Sequence, residues 1–313
     1  MKLNKPKFWD ERHWLIPILL LPLTFITLIY IFLKKKFINS RRFKINIICI
    51  GNLYIGGTGK TPTSIVLANE LSKLKKNPVI LKKFYKNQLD EQNLIKEKFN
   101  SLILSKNRIK GIIEAEEKSF DTVIMDDGFQ DYSIKKNFNI ICFNQNQRVG
   151  NGFVIPSGPL RESLRSLKKV DVILINGDKN IEFENKLLNV NKNLKIFYSS
   201  YVPKNINEFR NKRLIALAGI GNPNNFFNLL EKNNLIIEKK LIYPDHYEFT
   251  EADIKYITDL SEENNYHIIM TEKDYYKINI PKNKNFKFLE TSLEITNKEK
   301  LINLILKNYD KNF

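Results

Sequence analysis

Lys60 and Thr61 close the glycine-rich stretch Gly56-Gly57-Thr58-Gly59, and these six residues carry the clearest chemistry in the chain. An apolar run, Ile45 to Ile50, leads into the glycines, and a helix-permissive segment, Thr63 to Leu74, follows. Strand, bare backbone amides and helix start form the layout of a phosphate-binding loop. Gly56, Gly57 and Gly59 let the backbone curl tightly, so that several N–H groups of the stretch, Thr58 included, point at one anion. Lys60 is placed to reach the β- and γ-phosphates of ATP, and the Thr61 hydroxyl to hold Mg²⁺. Pro62 suits the first helical turn, where its missing N–H is no loss. The consensus G-x-x-x-x-G-K-[ST] has glycine where this chain has Tyr54, so a glycine turn that binds nothing is the alternative at this point.

Three further groups join that loop as candidates. Asp126 and Asp127 end the apolar run Thr122 to Met125, where a phosphate loop expects its Mg²⁺-side carboxylate; paired aspartates also serve there as plain turn residues. The stretch RVGNGFVIPSGPLRESLR, 148–165, is poor in regular structure. It reads either as a loop closing over phosphates, with Arg161 as a charge clamp and Glu162 near the metal, or as an ordinary surface loop. His246, in YPDHYEFT, falls in a loop where it is either an aid to proton transfer or a solvated bystander.

The elements that must hold these residues alternate from Arg42 onward. Strand-like runs fall at 45–50, 78–81, 101–104, 122–125, 139–143 and 170–175, with helical stretches between most of them. The pattern predicts an α/β fold, a mostly parallel sheet with helices on both faces. Regularity weakens near 197–213, a junction, and a second α/β set follows at 214–218, 226–230, 235–241, 253–260, 267–270 and 286–289, with a terminal helix over 297–306. The expected domains are a membrane-anchoring segment over 1–41, a nucleotide-binding domain over 42–210, and a smaller α/β domain with the C-terminal helix over 211–313.

Trp14 to Leu33 contains no charge. Twenty helical residues span roughly 30 Å, the thickness of a bilayer's hydrocarbon core. Lys34, Lys35, Lys36, Arg41 and Arg42 follow at once, which places the body of the chain on the cytoplasmic side of an inner membrane. Pro17 and Pro22 keep a kinked or shallow interfacial helix open beside a single span. The 313 residues carry 51 Lys+Arg against 34 Asp+Glu, a formal +17, a surplus that favours anionic partners. The basic residues are spread through the chain without a nucleic-acid-binding signature, and no nucleic acid or obligate protein partner is expected. Cys49 and Cys142 sit in apolar runs and read as small buried hydrophobes, not as a disulfide or metal pair. On the loop alone, a membrane-tethered ATPase that drives a partner protein is a rival reading.

Taken together, these stretches resemble the tetraacyldisaccharide 4′-kinase family, the lipid A 4′-kinases. The matching pieces are GNLYIGGTGKTP at 51–62, DDGFQ at 126–130, GNGFVIPSGPLRE at 150–162, LAGIGNP at 217–223, PDHYEFT at 244–250 and TEKD at 271–274. The resemblance implies transfer of the ATP γ-phosphate to the 4′-hydroxyl of a tetraacyl glucosamine disaccharide 1-phosphate. It also implies two α/β domains, the smaller closing over the nucleotide. It makes Lys60 and Thr61 the phosphate-loop pair and places Asp126, Asp127 and Gln130 near Mg-ATP, with Glu162 on the metal side. His246 then works with an aspartate on the substrate hydroxyl, and the aligned Asp-Glu pair is Asp90 and Glu91, the latter on the metal side. Here the chain departs from the family: LKKFYKNQ at 81–88 is shorter than the usual Ser-Arg-Gly-Tyr stretch and loop, Gln92 replaces a proline, Asp131 replaces a histidine after the glutamine, and Tyr247 stands where a second histidine is common.

Overall fold

In the computed structural model the described residues are 6–10, 15–85, 89–245, 247–278 and 286–309, with the side chain of Asp90 outside them. β1 (Asn46–Gly51) is buried at every position, because helices cover both faces of the sheet that it centres, and such a strand reads as an unbroken apolar run. The remaining elements, in chain order, are α1 (Leu15–Leu19), α2 (Leu21–Phe37), α3 (Lys60–Lys73), β2 (Pro78–Lys83), α4 (Leu89–Lys98), β3 (Leu102–Ser105), α5 (Arg108–Glu117), β4 (Thr122–Asp126), β5 (Phe138–Asn144), β6 (Val172–Asn176), α6 (Ile181–Leu188) and β7 (Lys195–Pro203). They continue with β8 (Arg213–Ala218), α7 (Pro223–Lys232), β9 (Ile236–Ile242), α8 (Glu251–Asn264), β10 (His267–Thr271), α9 (Glu272–Tyr275), β11 (Phe286–Leu289), β12 (Thr291–Ile295) and α10 (Lys298–Tyr309).

Eight strands form one sheet in the order β12-β7-β6-β5-β1-β4-β2-β3. Every pairing from β3 across to β7 is parallel. The chain reverses direction of winding around β1, whose neighbours are β4 and β5. Ligands of such sheets bind beyond the strand C-termini at that kind of switch point. The register sets Ile50 beside Asp126 and Asp126 beside Lys82, so three strand ends meet at one carboxylate. A second sheet, β11-β10-β8-β9, is also parallel and has apolar clusters on each face, one around Phe227 and Leu230 and one around Ile257 and Met270.

Residue contacts divide the chain into two compact units. The larger takes in the described residues of Leu3–Phe84, Phe99–Ser200 and Glu294–Phe313; the smaller takes in those of Tyr85–Lys98 and Tyr201–Leu293. Two placements differ from the sequence reading. α4, which carries Asp90 and Glu91, groups with the smaller unit. α10 groups with the larger, where Tyr309 shares a 2.6 Å hydroxyl–hydroxyl bond with Thr122, Asn308 donates to the Asn137 carbonyl and Lys298 pairs with Glu70. Such long-range partners leave no local pattern in a sequence. The expected junction near 197–213 contains β7, whose polar and aromatic alternation, KIFYSSYVP, lacks the apolar run of the central strands.

The N-terminal apolar segment is not one long helix. Pro22 lies in the first turn of α2 and has no N–H to donate to the preceding turn, so the run breaks into α1 and α2 at Leu20. The apolar part of α2 spans roughly 20 Å before Lys34, Lys35 and Lys36. Among the described residues, no helix is long and apolar enough to cross a membrane.

Candidate active site

The chain leaves β1 at Gly51 and enters α3 at Lys60. Gly56 and Gly59 adopt φ values of 123° and 88°, a region that side-chain-bearing residues avoid, so the curl between strand and helix depends on them. Gly59 is the N-cap of α3, a 14-residue helix whose positive end faces the loop. Asn52 braces the curl from inside, its Nδ2 donating to the carbonyls of Tyr54 and Gly56. Tyr54, where a glycine is usual, is fully buried and forms an antiparallel bridge with Leu160. Its hydroxyl donates to Asp10 at 2.6 Å, and burial followed by that carboxylate pushes the phenol well above its ordinary range. The Thr58 hydroxyl is buried inside the loop and has no hydrogen-bond partner among the described residues. Such an orphaned group normally signals something missing, and here the loop amides and helix end call for an anion.

Asp126, at the end of β4, is 1% exposed. Its carboxylate accepts from Thr61 Oγ1 at 3.0 Å, Ser64 Oγ at 3.2 Å and Lys82 Nζ at 2.7 Å. Asp127 turns the chain with φ 53° and faces Arg161 at 2.8 Å and Lys60 at 3.9 Å. Partial burial would raise its pKa, but Lys60 and then Arg161 outweigh that and hold the carboxyl below its usual value. Gln130 completes the cluster, donating to the Asn52 carbonyl and lying 3.5 Å from Arg161 Nη1. The segment bearing Arg161 is tied to the phosphate loop through the backbone: Arg161 N–H donates to Leu53 and Ile55 N–H to Pro159. The glycine- and proline-rich stretch is therefore part of the loop's wall, not an ordinary surface loop.

The expected acidic metal set is distributed over several places. Glu162 is 1% exposed, and its carboxylate is taken by Lys35 from α2, by Ser166 and by Tyr132. Glu91 lies in the smaller unit and pairs with Lys273 at 3.4 Å. Asp127 is turned to its two cations. Among the described residues, no three His, Cys, Asp or Glu side chains form a set that would hold an ion. Thr61 and Asp126 remain as one hydroxyl and one carboxylate. That pair fits Mg²⁺, which keeps several waters and takes one or two carboxylates together with phosphate oxygens.

His246 and the Asp90 side chain lie outside the described residues. Their flanking residues do not: Lys273 bonds both Glu91, next to Asp90 on α4, and Asp245, next to His246, the latter at 3.1 Å. Glu91, Asp245 and Lys273 all belong to the smaller unit. Lys82, Ser64, Lys273 and Arg108, whose Nη2 donates to the Asp127 carbonyl at 2.6 Å, were not identified from the sequence. The available signal was slight: Lys82 is a charge directly following the buried apolar run Val79–Leu81. Cys49 and Cys142 are free and buried, and burial pushes their thiols up to about 11 and about 12.

A family model described as tetraacyldisaccharide-1-P 4′-kinase matches residues 12–310. The tetraacyldisaccharide 4′-kinase of Pelagibacter ubique is 40% identical over 320 residues, covering 100% of each chain. The same-named protein of Rickettsia akari is 33% identical, covering 98% of each. Among solved structures, the "apo" form LpxK of Aquifex aeolicus in complex with ATP superposes with a TM-score of 0.71 over 94% of this chain and 99% of that one. At 22% identity, that likeness bears on the fold alone.

Proposed function

Because this chain belongs to the tetraacyldisaccharide-1-phosphate 4′-kinase family, we propose that it works at the cytoplasmic face of the inner membrane, phosphorylating the 4′-hydroxyl of an acylated glucosamine disaccharide 1-phosphate. It is an ATP-dependent kinase of lipid A biosynthesis and uses ATP with Mg²⁺. The observation that carries the reading is the meeting of Lys60, Thr61, Asp126, Asp127 and Arg161 around one curled, amide-lined loop.

Phosphoryl transfer passes through a loose transition state, so the protein's task is to position and to neutralise. The amides of 56–61 and Lys60 hold the β- and γ-phosphates. Thr61 and Asp126 would hold Mg²⁺, which would supply charge neutralisation beside the phosphates. Arg161, oriented by Asp127 and Gln130, is the second cation aimed at charge that develops during transfer. Asp90, tuned by His246, takes the hydroxyl proton. The Lys273 bridge between their flanking residues supports that pairing.

Membrane attachment is supported by α2 itself. Phe25, Ile26, Tyr30, Phe32 and Phe37 are each more than 60% exposed, and three lysines follow in its last turn. An apolar face of this length beside a basic end suits a helix lying in the interface, where anionic headgroups meet the lysines. That position would keep the enzyme where the substrate's acyl chains are dissolved.

Radiolabelled ATP and detergent-dispersed disaccharide 1-phosphate provide the test. A labelled bisphosphorylated lipid is expected from the parent, and none from Lys60→Ala, which should melt as the parent does. Full activity in that variant, or hydrolysis of ATP without lipid product, would remove the assignment.

A further inference from the structure

α2 has a second face, directed inward. Thr24, Leu28, Ile31 and Lys35 are spaced four, three and four residues apart, which places them on one stripe of the helix. Leu28 and Ile31 pack on the main core. At one end of the stripe, the buried Thr24 hydroxyl lies 3.1 Å from the Val154 carbonyl and 2.7 Å from Ser157 Oγ, and accepts the Ser157 N–H. At the other end, Lys35 meets Glu162 and, at 3.1 Å, Ser166. The helix thus grips segment 154–166 at two points. The opposite side of that segment is hydrogen-bonded to Leu53 and Ile55 of the phosphate loop, and Arg161 extends from it to Asp127.

We propose that Lys35 is a positioning residue for phosphoryl transfer: by neutralising Glu162 it holds the adjacent Arg161 against the phosphate loop. Glu162 is almost wholly buried, and its other hydrogen-bond partners, Tyr132 and Ser166, are neutral. The further cation near it, Lys136, donates to the Phe129 and Asp131 carbonyls instead, so Lys35 is its direct ionic partner among the described residues. A carboxylate left there without a cation does not stay; it turns toward water and moves its own backbone. That backbone is shared with Arg161, one residue away, so the clasp sets the distance between a guanidinium and the transferring group. The same helix carries the apolar outer face, so the element that meets lipid is also the outer wall of the catalytic loop. The turnover arm of the test rests on the kinase reading above; the exchange arm does not.

The full-length protein in lipid–detergent micelles is compared with Lys35→Met, Lys35→Arg and Lys36→Met. Lys35→Met should lower kcat by about tenfold to a hundredfold, because reacting groups tolerate little misplacement. The KM for ATP should stay within about threefold, as expected when the lost interaction belongs to the transition state. Lys35→Arg, which keeps the charge, should recover most of the turnover. In the absence of substrate, amide hydrogen exchange over 158–166 should quicken in Lys35→Met and remain as in the parent in Lys36→Met, an equal charge loss. Unchanged kcat in Lys35→Met overturns the proposal, as does equal exchange in the two methionine variants. Should Lys35→Met fail to fold, Lys35→Gln is judged on the same readouts. If the parent makes no lipid product, the kinase reading falls and the exchange comparison still decides the clasp.

Discussion

At the scale of single residues, the site is a balance of charges held out of water. Asp126 is matched by Lys82, and Asp127 by Lys60 and Arg161. Removing one partner of a buried pair leaves the other uncompensated and costs about 3–5 kcal/mol. Lys82→Met should therefore destabilise the metal-free protein by about that amount, measured by urea unfolding. Saturating Mg-ATP should reduce the loss, because an ion bound at the proposed Thr61–Asp126 site would supply Asp126 with the missing positive charge. An equal loss with and without Mg-ATP would contradict the placement of the ion on Asp126. Lys60, Thr61, Asp126 and Arg161 were legible because each lies in or beside a local pattern of glycines, strand end or loop. Lys82 was not, since its partner lies 44 residues away and only the β2–β4 register brings them together.

At the scale of elements, the end of β1 is where packing and chemistry share a residue. A Cβ on Gly51 would collide with Phe129 Cβ, so the Asp126–Gln130 turn lies directly on the strand end. Gly51→Ala should push that turn away and cost about 1–3 kcal/mol, as overpacking does. Denaturant titration checks the cost; a variant as stable as the parent would mean the turn is free to move. The central strands could be read from sequence because burial on both faces leaves unbroken apolar runs such as Ile47–Ile50. β7, α4's association with the smaller unit and α10's with the larger could not, because they rest on partners distant in the chain. The same holds for α2. Its lysines read as a flank to an apolar segment, yet Lys35 turns inward to Glu162.

At the scale of the whole molecule, the N-terminal segment is built into the larger unit. Trp9 donates from Nε1 to the Pro156 carbonyl and accepts the Asn151 N–H at its own carbonyl, and Asp10 accepts from Tyr54. Its outer face is another matter. Phe25, Ile29 and Phe32 project from α2 with large exposed areas, and each large apolar side chain taken from water is worth about 1.5–3 kcal/mol. The triple substitution Phe25→Ser, Ile29→Ser, Phe32→Ser should lower sedimentation with anionic vesicles at least about tenfold and leave the melting temperature of the free protein nearly unchanged. Retained vesicle binding would show that lipid is met elsewhere.

In the proposed reaction, a nucleotide phosphate held between Lys60, Arg161 and the loop amides would move to one particular sugar hydroxyl. Proton–phosphorus correlation NMR on the lipid product tests this most directly. The new phosphorus is expected to couple to the proton on C4′ of the distal glucosamine, with the original 1-phosphate still in place. Coupling at any other carbon, or a product carrying a diphosphate at position 1, would contradict it.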